Sequence, residues 1–259
     1  MNKLAPLKFV IYPSLMDSYR RMTEAEGSEE REKRMAEFLA ALNREPREPS
    51  MYAARGTALN LLLDSLLTGQ LVDDSYEPLL HQFECSSDRY IDSITVDGFR
   101  FDFDVALEEA IGDMIEEGMS AQVYTEAVID TDHGAVLLYG YPDYIGMTEV
   151  VDLKTTKEYQ PGNYRDYWQR RVYPYTLVAS GMMADIDSFR FVVAELATDR
   201  AGVTGGKVYD ETYPVDIAEC EREIRTFLDG ELLPWMIDHN ELINDRKVFA
   251  FRRKDENDE

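Results

Sequence analysis

Two aspartates and one lysine carry the most pointed chemistry in this chain. Gly140-Tyr141-Pro142-Asp143 sets a carboxylate in a turn, and eight residues separate it from Asp152 of Val150-Val151-Asp152-Leu153-Lys154. Alternate residues of a strand share a face, so Asp152 and Lys154 stand side by side with Val150, while Val151 and Leu153 turn the other way. Two carboxylates and an ammonium can hold a hard divalent cation through oxygen and poise a water beside it, the chemistry of phosphodiester cleavage. Taken alone, Asp-x-Lys is a weak signal, because a surface ion pair at a strand end has the same sequence.

The elements that must position these groups follow from hydrophobic pattern and turn residues. The short run LKFVIY ends at Pro13, and Ser14 is the expected N-cap of a helix over LMDSYRRM. Residues 24–42 have helical composition, and a second helix is predicted over 51–68 with a stop at Gly69. Residues 88–103 alternate around Asp97-Gly98 and read as a hairpin, followed by a helix over 104–117. Strands are predicted at Gln122–Ile129, Ala135–Tyr141 and Thr148–Lys154, with turns at Thr131–Gly134 and Tyr144–Gly146. Such short links imply an antiparallel meander. A helix near 163–181, strands near 188–196 and 206–213, and a long helix over Val215–His239 complete the order. This succession predicts a single α/β domain over residues 1–259 with a central mixed sheet flanked by helices. A helical and hairpin insertion falls at about 70–118 and a frayed acidic tail at about 252–259.

The 259 residues include 44% apolar side chains, 16 Tyr and 11 Phe, enough to bury a large core and unlike a disordered chain. No apolar stretch approaches the roughly 20 residues of a membrane span, and the N-terminus lacks a signal-peptide layout. The two cysteines, Cys85 and Cys220, lie far apart, which suits a reducing cytoplasm and argues against zinc or an iron–sulfur cluster. The net charge of -24 repels nucleic acid on average, so any such contact needs a local basic patch, metal ions or a partner protein. One stretch runs against that trend. Lys154, Lys157, Arg165, Arg170 and Arg171 interleave with Tyr159, Tyr164, Tyr167 and Trp168, a mixture suited to single-stranded nucleic acid.

Five motifs in order make the chain resemble the PD-(D/E)XK nuclease superfamily, in particular its RecB-like exonuclease branch. Ser14-Leu15-Met16-Asp17-Ser18-Tyr19 is similar to that family's opening Ser-x-Leu-x-x-Tyr helix. Arg55-Gly56-Thr57-Ala58-Leu59-Asn60 falls on its Gly-x-x-x-His helix, and Gly140–Asp143 on its Gly-x-x-Asp. Asp152-Leu153-Lys154 falls on its Asp/Glu-x-Lys, and Gln169–Tyr173 on its Gln-x-x-x-Tyr. The likeness covers residues 13–196 apart from the insertion and implies a restriction-endonuclease-like core.

That resemblance implies a site in which Asp143 and Asp152, with the Leu153 carbonyl, hold Mg²⁺ or Mn²⁺, and Lys154 orients or activates the attacking water. Glu126 is a further candidate ligand. Gln169 and Tyr173 would position substrate and lysine, with Arg170, Arg171 and Lys157 along the nucleic acid. Two departures stand out. Asn60 replaces the family histidine and offers only a neutral amide oxygen. Pro174 follows Tyr173 and is expected to kink or restart the helix. The implied activity is metal-dependent hydrolysis of DNA, as an exonuclease acting on single- or double-stranded ends in recombination, repair or phage replication, alongside a recombination or replication protein. The competing readings are an impaired nuclease-fold binding subunit and an acidic protein that mimics DNA charge.

Overall fold

In the computed structural model, which describes residues 7–248 apart from 47, 69–78, 85–88 and 116–117, the opening apolar run forms strand β1 (Leu7–Ile11). Helix α1 (Pro13–Thr23) follows at once, since proline lacks an N–H and has a φ suited to a first helical turn. Ser14 therefore lies inside that turn and is not the N-cap expected from sequence; Tyr12 takes that place without a side-chain bond. Helix α2 (Ser28–Leu42) begins only after Gly27, whose φ of 82° breaks the start predicted at 24. Helix α3 spans Met51–Thr68 as expected, and its stop at Gly69 lies outside the described residues, as does the acidic tail.

Strands β2 (Leu79–Glu84), β3 (Arg89–Val96) and β4 (Phe99–Asp104) come next. Asp97 and Gly98 sit at φ 52° and 81° between β3 and β4, which closes the anticipated hairpin. Asp104 accepts the N–H of Ala106 at 3.1 Å and caps helix α4 (Val105–Gly112), shorter than the predicted 104–117. Then follow β5 (Ser120–Ala121), β6 (Thr125–Thr131), β7 (Gly134–Gly140), β8 (Tyr144–Ile145), β9 (Glu149–Thr156), α5 (Gln169–Ala179), β10 (Ser188–Thr198) and β11 (Val203–Pro214). The long C-terminal helix divides into α6 (Ile217–Phe227) and α7 (Leu233–Asp238), joined by a π-helical turn over Leu228–Leu232.

The strands form two sheets. Eight run in the order β2-β3-β4-β11-β10-β9-β8-β5, with β9–β10 and β4–β11 parallel and the other pairs antiparallel; three more run β1-β7-β6. This is the expected mixed α/β architecture flanked by helices, consistent with a restriction-endonuclease-like core. Within it, the predicted hairpin extends one edge of the large sheet, because β4 pairs with β11. The predicted meander does not form. Strands β7 and β9 belong to different sheets, and the residues expected to turn at 144–146 instead supply β8, which pairs back on β9. Pro142, without an N–H to offer a ladder, lies where the chain leaves β7.

Three apolar clusters hold the layers. Side chains of α3 and α4 pack with Val151, Leu153 and Val192 on one face of the large sheet. Val150, Phe189, Phe191 and Val193 pack on its other face with Tyr173 and Leu177 of α5. The small sheet packs against α1, α2, α5 and α6. Helix α5 thus lies between the sheets. It starts at Gln169 instead of near 163 and continues through Pro174, so it does not restart there. The proline deprives the Arg170 carbonyl of its helical donor, but Val172, Tyr173, Tyr175 and Leu177 are buried on both sides of it and hold the helix. No helix among the described residues is long and apolar enough to cross a membrane.

Two tests follow from this packing. A Cβ on Gly206 would stand 2.1 Å from the carbonyl oxygen of Glu195 in the neighbouring strand, so Gly206→Ala must push β10 and β11 apart. We expect a loss of about 1–3 kcal/mol in denaturant unfolding; an unchanged midpoint would contradict this packing. Glu108 is 1% exposed, and burial first, then the neighbouring Asp92 carboxyl, push its carboxyl up from 4.5 to about 8. The folded chain keeps a proton that the unfolded chain releases near 4.5, so this contribution to stability falls as pH rises from there to about 8. Glu108→Gln should therefore raise the melting temperature near pH 8 and change it little near pH 4.5. Equal shifts at both pH values would refute the assignment.

Candidate active site

The site is built on one edge of β9. Strand β8 supplies only Ile145 and Tyr144 as partners for Val150 and Val151. The next N–H on that edge belongs to Leu153, and Asp143 Oδ2 accepts it at 2.8 Å, so a side chain continues the ladder where the backbone stops. Asp143 Oδ1 accepts from Gln122 Nε2 at 3.0 Å, and the Asp143 carbonyl accepts the Gln122 N–H, also at 3.0 Å. Gln122 holds a φ of 50° to make both contacts. The N–H and C=O of one strand residue leave the strand on the same side, so the Leu153 carbonyl shares this edge with Asp143.

Asp152, 1% exposed, points to the face of the sheet. Its Oδ1 accepts from Gln169 Nε2 at 2.8 Å, and its Oδ2 lies against the Lys154 ammonium. Lys154 retains 19% of its side-chain exposure and lies 5.8 Å from the centroids of both Tyr167 and Phe191. Tyr173, one turn after Gln169, packs its ring on Gly140, where a Cβ would stand 2.5 Å from Tyr173 Cε1. The glycine of Gly-x-x-Asp is therefore a packing requirement: α5 reaches Asp152 only because residue 140 has no side chain.

Electrostatics sharpen this arrangement. Burial first, and the Asp152 charge second, push Asp143 up to about 7, against the pull of Lys154, the Leu153 N–H and Gln122. Burial alone would lower Lys154, but Asp152 and Asp143 outweigh it and hold the amine above its usual value, hence cationic. Burial also raises Asp152, restrained by Lys154.

The remaining sequence candidates separate. Asn60 is half-buried on α3, midway between Gly56, which closes on Thr155, and Asp64, whose Oδ1 accepts the Tyr144 hydroxyl at 2.9 Å. That spacing places Asn60 on the helix face toward β8 and β9. Glu126 is exposed and accepts the Tyr124 hydroxyl at 2.5 Å. Arg171 turns to Glu223 on α6, and Arg170 donates to the Arg165 carbonyl and lies over Tyr213, so packing already occupies both. Lys157 is exposed just beyond β9. The basic and aromatic stretch does not present its rings as expected. Tyr159 stacks on Tyr209 at 4.2 Å, and Tyr164 and Tyr167 pack on Phe191.

Sequence reasoning missed the groups that orient the site. Gln122 lies outside every motif, and nothing in the chain marks it. Asp17 sits within the opening helix motif between buried Leu15, Met16 and Tyr19. Its Oδ1 accepts the N–H of Trp168, just before α5, at 3.2 Å, and burial lifts its carboxyl to about 6. Glu211 clamps the segment between β9 and α5, accepting from the Tyr159 hydroxyl at 3.0 Å and the Gly162 N–H at 2.7 Å.

No family model and no curated protein matches the sequence. Among solved structures, the chain is similar to SSO0001 at 15% identity and a TM-score of 0.43, over 90% of this chain and 83% of that one. It is also similar to LHK-Exo in complex with dAMP at 14% identity and a TM-score of 0.34, over 91% and 94%.

Proposed function

We propose that this protein is a metal-dependent deoxyribonuclease acting as an exonuclease on DNA ends. The observation that carries the reading is the meeting of Asp143, Asp152 and Lys154 at one edge of β9, with both carboxylates buried and only one ammonium between them. The donor set fits a hard cation. Each carboxylate oxygen spends one contact on a neighbour and keeps lone pairs free, and the Leu153 carbonyl adds a third oxygen. This set suits Mg²⁺ or Mn²⁺, which needs one or two carboxylates and completes its shell with water and substrate phosphate. When bound, the cation supplies a Lewis acid that acidifies a water and offsets phosphate charge.

The chain's own residues supply the rest. Gln169 holds Asp152 in one orientation, and Gln122 with the Leu153 N–H does so for Asp143. Lys154, kept protonated by both carboxylates, serves as a positioned cation that orients the attacking water and stabilises charge developing on the phosphoryl oxygens. It does not begin as a base. Asn60, on the α3 face toward β8 and β9, offers only a neutral amide oxygen, so this reading gives the metal to the two aspartates. The net charge of -24 makes a recombination or replication protein the natural source of additional DNA affinity.

Cleavage of 5′- and 3′-labelled single- and double-stranded DNA with Mg²⁺ or Mn²⁺ tests the reading. Asp152→Ala and Lys154→Ala should each lower the rate by about a hundredfold or more, and Gln169→Ala by less. The reading fails if the wild type cuts nothing with either metal, or if the first two variants cut as well as the wild type.

A further inference from the structure

The nuclease reading leaves a group of tyrosines unexplained. Four rings run in a chain along the small sheet: Tyr12 to Tyr139 at 5.7 Å, Tyr139 to Tyr124 at 6.3 Å, and Tyr124 to Tyr141 at 5.2 Å between centroids. The first two, Tyr12 and Tyr139, are tied to the protein. Tyr12 donates to the Ala41 carbonyl at 2.9 Å, and Tyr139 accepts from Arg44 Nη2 at 3.4 Å. The last two, Tyr124 and Tyr141, are 42% and 52% exposed. Single exposed aromatics are ordinary, but these two touch each other and flank the candidate site. Tyr124 lies two residues after Gln122, which holds Asp143, and Tyr141 lies two residues before Asp143. At about 3.3–3.6 Å per residue, both stand within roughly 7 Å of chain from the Gln122–Asp143 contact. The Tyr124 hydroxyl is engaged by Glu126, which fixes the ring and leaves its exposed part as the surface on offer.

We infer that Tyr124 and Tyr141 form a stacking platform for the bases of a single DNA strand whose phosphate enters the Asp143–Asp152 site. The inference rests on the nuclease reading and adds the substrate class: unpaired nucleobases. Two further observations point to bases over backbone. Glu126 sits beside the rings and repels phosphate, while the nearby Arg44 is shared with Asp245 at 3.3 Å. The chain's net charge of -24 also leaves little general attraction for phosphate, so affinity must draw on uncharged contacts. Base stacking on aromatic rings supplies these, and it is tolerant of sequence because every base has a π-face. In a duplex those faces are already stacked on one another, so the platform selects a single strand.

Fluorescence anisotropy on the full chain in EDTA at low salt tests this, with labelled oligothymidine and an abasic strand of the same length and charge. The wild type should bind oligothymidine at least about tenfold more tightly than the abasic strand. The double variant Tyr124→Leu with Tyr141→Leu should bring that ratio close to one, and Tyr124→Trp with Tyr141→Trp should preserve it. A wild-type ratio near one overturns the platform, as does a ratio that survives in the leucine variant or is lost in a tryptophan variant that melts like wild type. Mn²⁺-dependent cleavage by the wild type, run in parallel, keeps the two readings apart. Cleavage with an unchanged ratio in the leucine variant removes the platform alone. A collapsing ratio without cleavage removes the nuclease chemistry and supports a base-stacking surface.

Discussion

The arrangement around β9 answers one constraint: two carboxylates are held close together and away from water with a single ammonium to offset them. Burying like charges is unfavourable unless donors or a counter-charge surround them. The protein brings Gln122 and the Leu153 N–H to Asp143, and Gln169 and Lys154 to Asp152. These donors satisfy geometry, but burial first and the Asp152 charge second still push the Asp143 carboxyl up to about 7. Once Asp143 ionises, the buried pair carries one negative charge more than Lys154 offsets, and a divalent cation relieves that condition.

Much of the fold exists to keep those donors in place. Gln169 reaches Asp152 because it opens α5, and α5 lies low enough because Gly140 admits the Tyr173 ring. The start of α5 is fixed from the other side by Asp17 of α1, which accepts the Trp168 N–H. Glu211 holds the preceding segment onto the large sheet through Tyr159 and Gly162. The two sheets and the opening helix therefore converge on α5, which explains how the helix survives Pro174: one missing hydrogen bond is small beside the apolar side chains it buries.

The sequence made the alternating faces of β9 legible because Val151 to Lys154 alternates apolar and polar, and its polar members could lie on one side only. The Asp97-Gly98 hairpin and the start of α3 were readable for equally local reasons. What could not be read depends on long-range pairing. Nothing local tells that β7 and β9 join different sheets, since a short link is compatible with a meander and with a corner. Nor could the role of Gln122 be seen, because its contact with Asp143 spans a hairpin. The fate of Arg171 was hidden likewise, as Glu223 lies on a helix that only folding brings near.

That last point changes where recognition must reside. In the chain, residues 154–171 look like a basic and aromatic surface. In the fold, Lys154 belongs to Asp152, Arg171 to Glu223 and Arg170 to Tyr213, while the tyrosines of the segment pack on Tyr209 and Phe191. Once these contacts are made, Lys157 and Arg165 are left exposed, and two cations cannot outweigh the charge of the whole chain. A phosphodiester substrate must then be held by the cation between the aspartates, by uncharged contacts such as the rings of Tyr124 and Tyr141, or by a second protein. Of these, the rings already stand in the structure beside Asp143, fixed by Glu126, Tyr139 and the corner at Pro142.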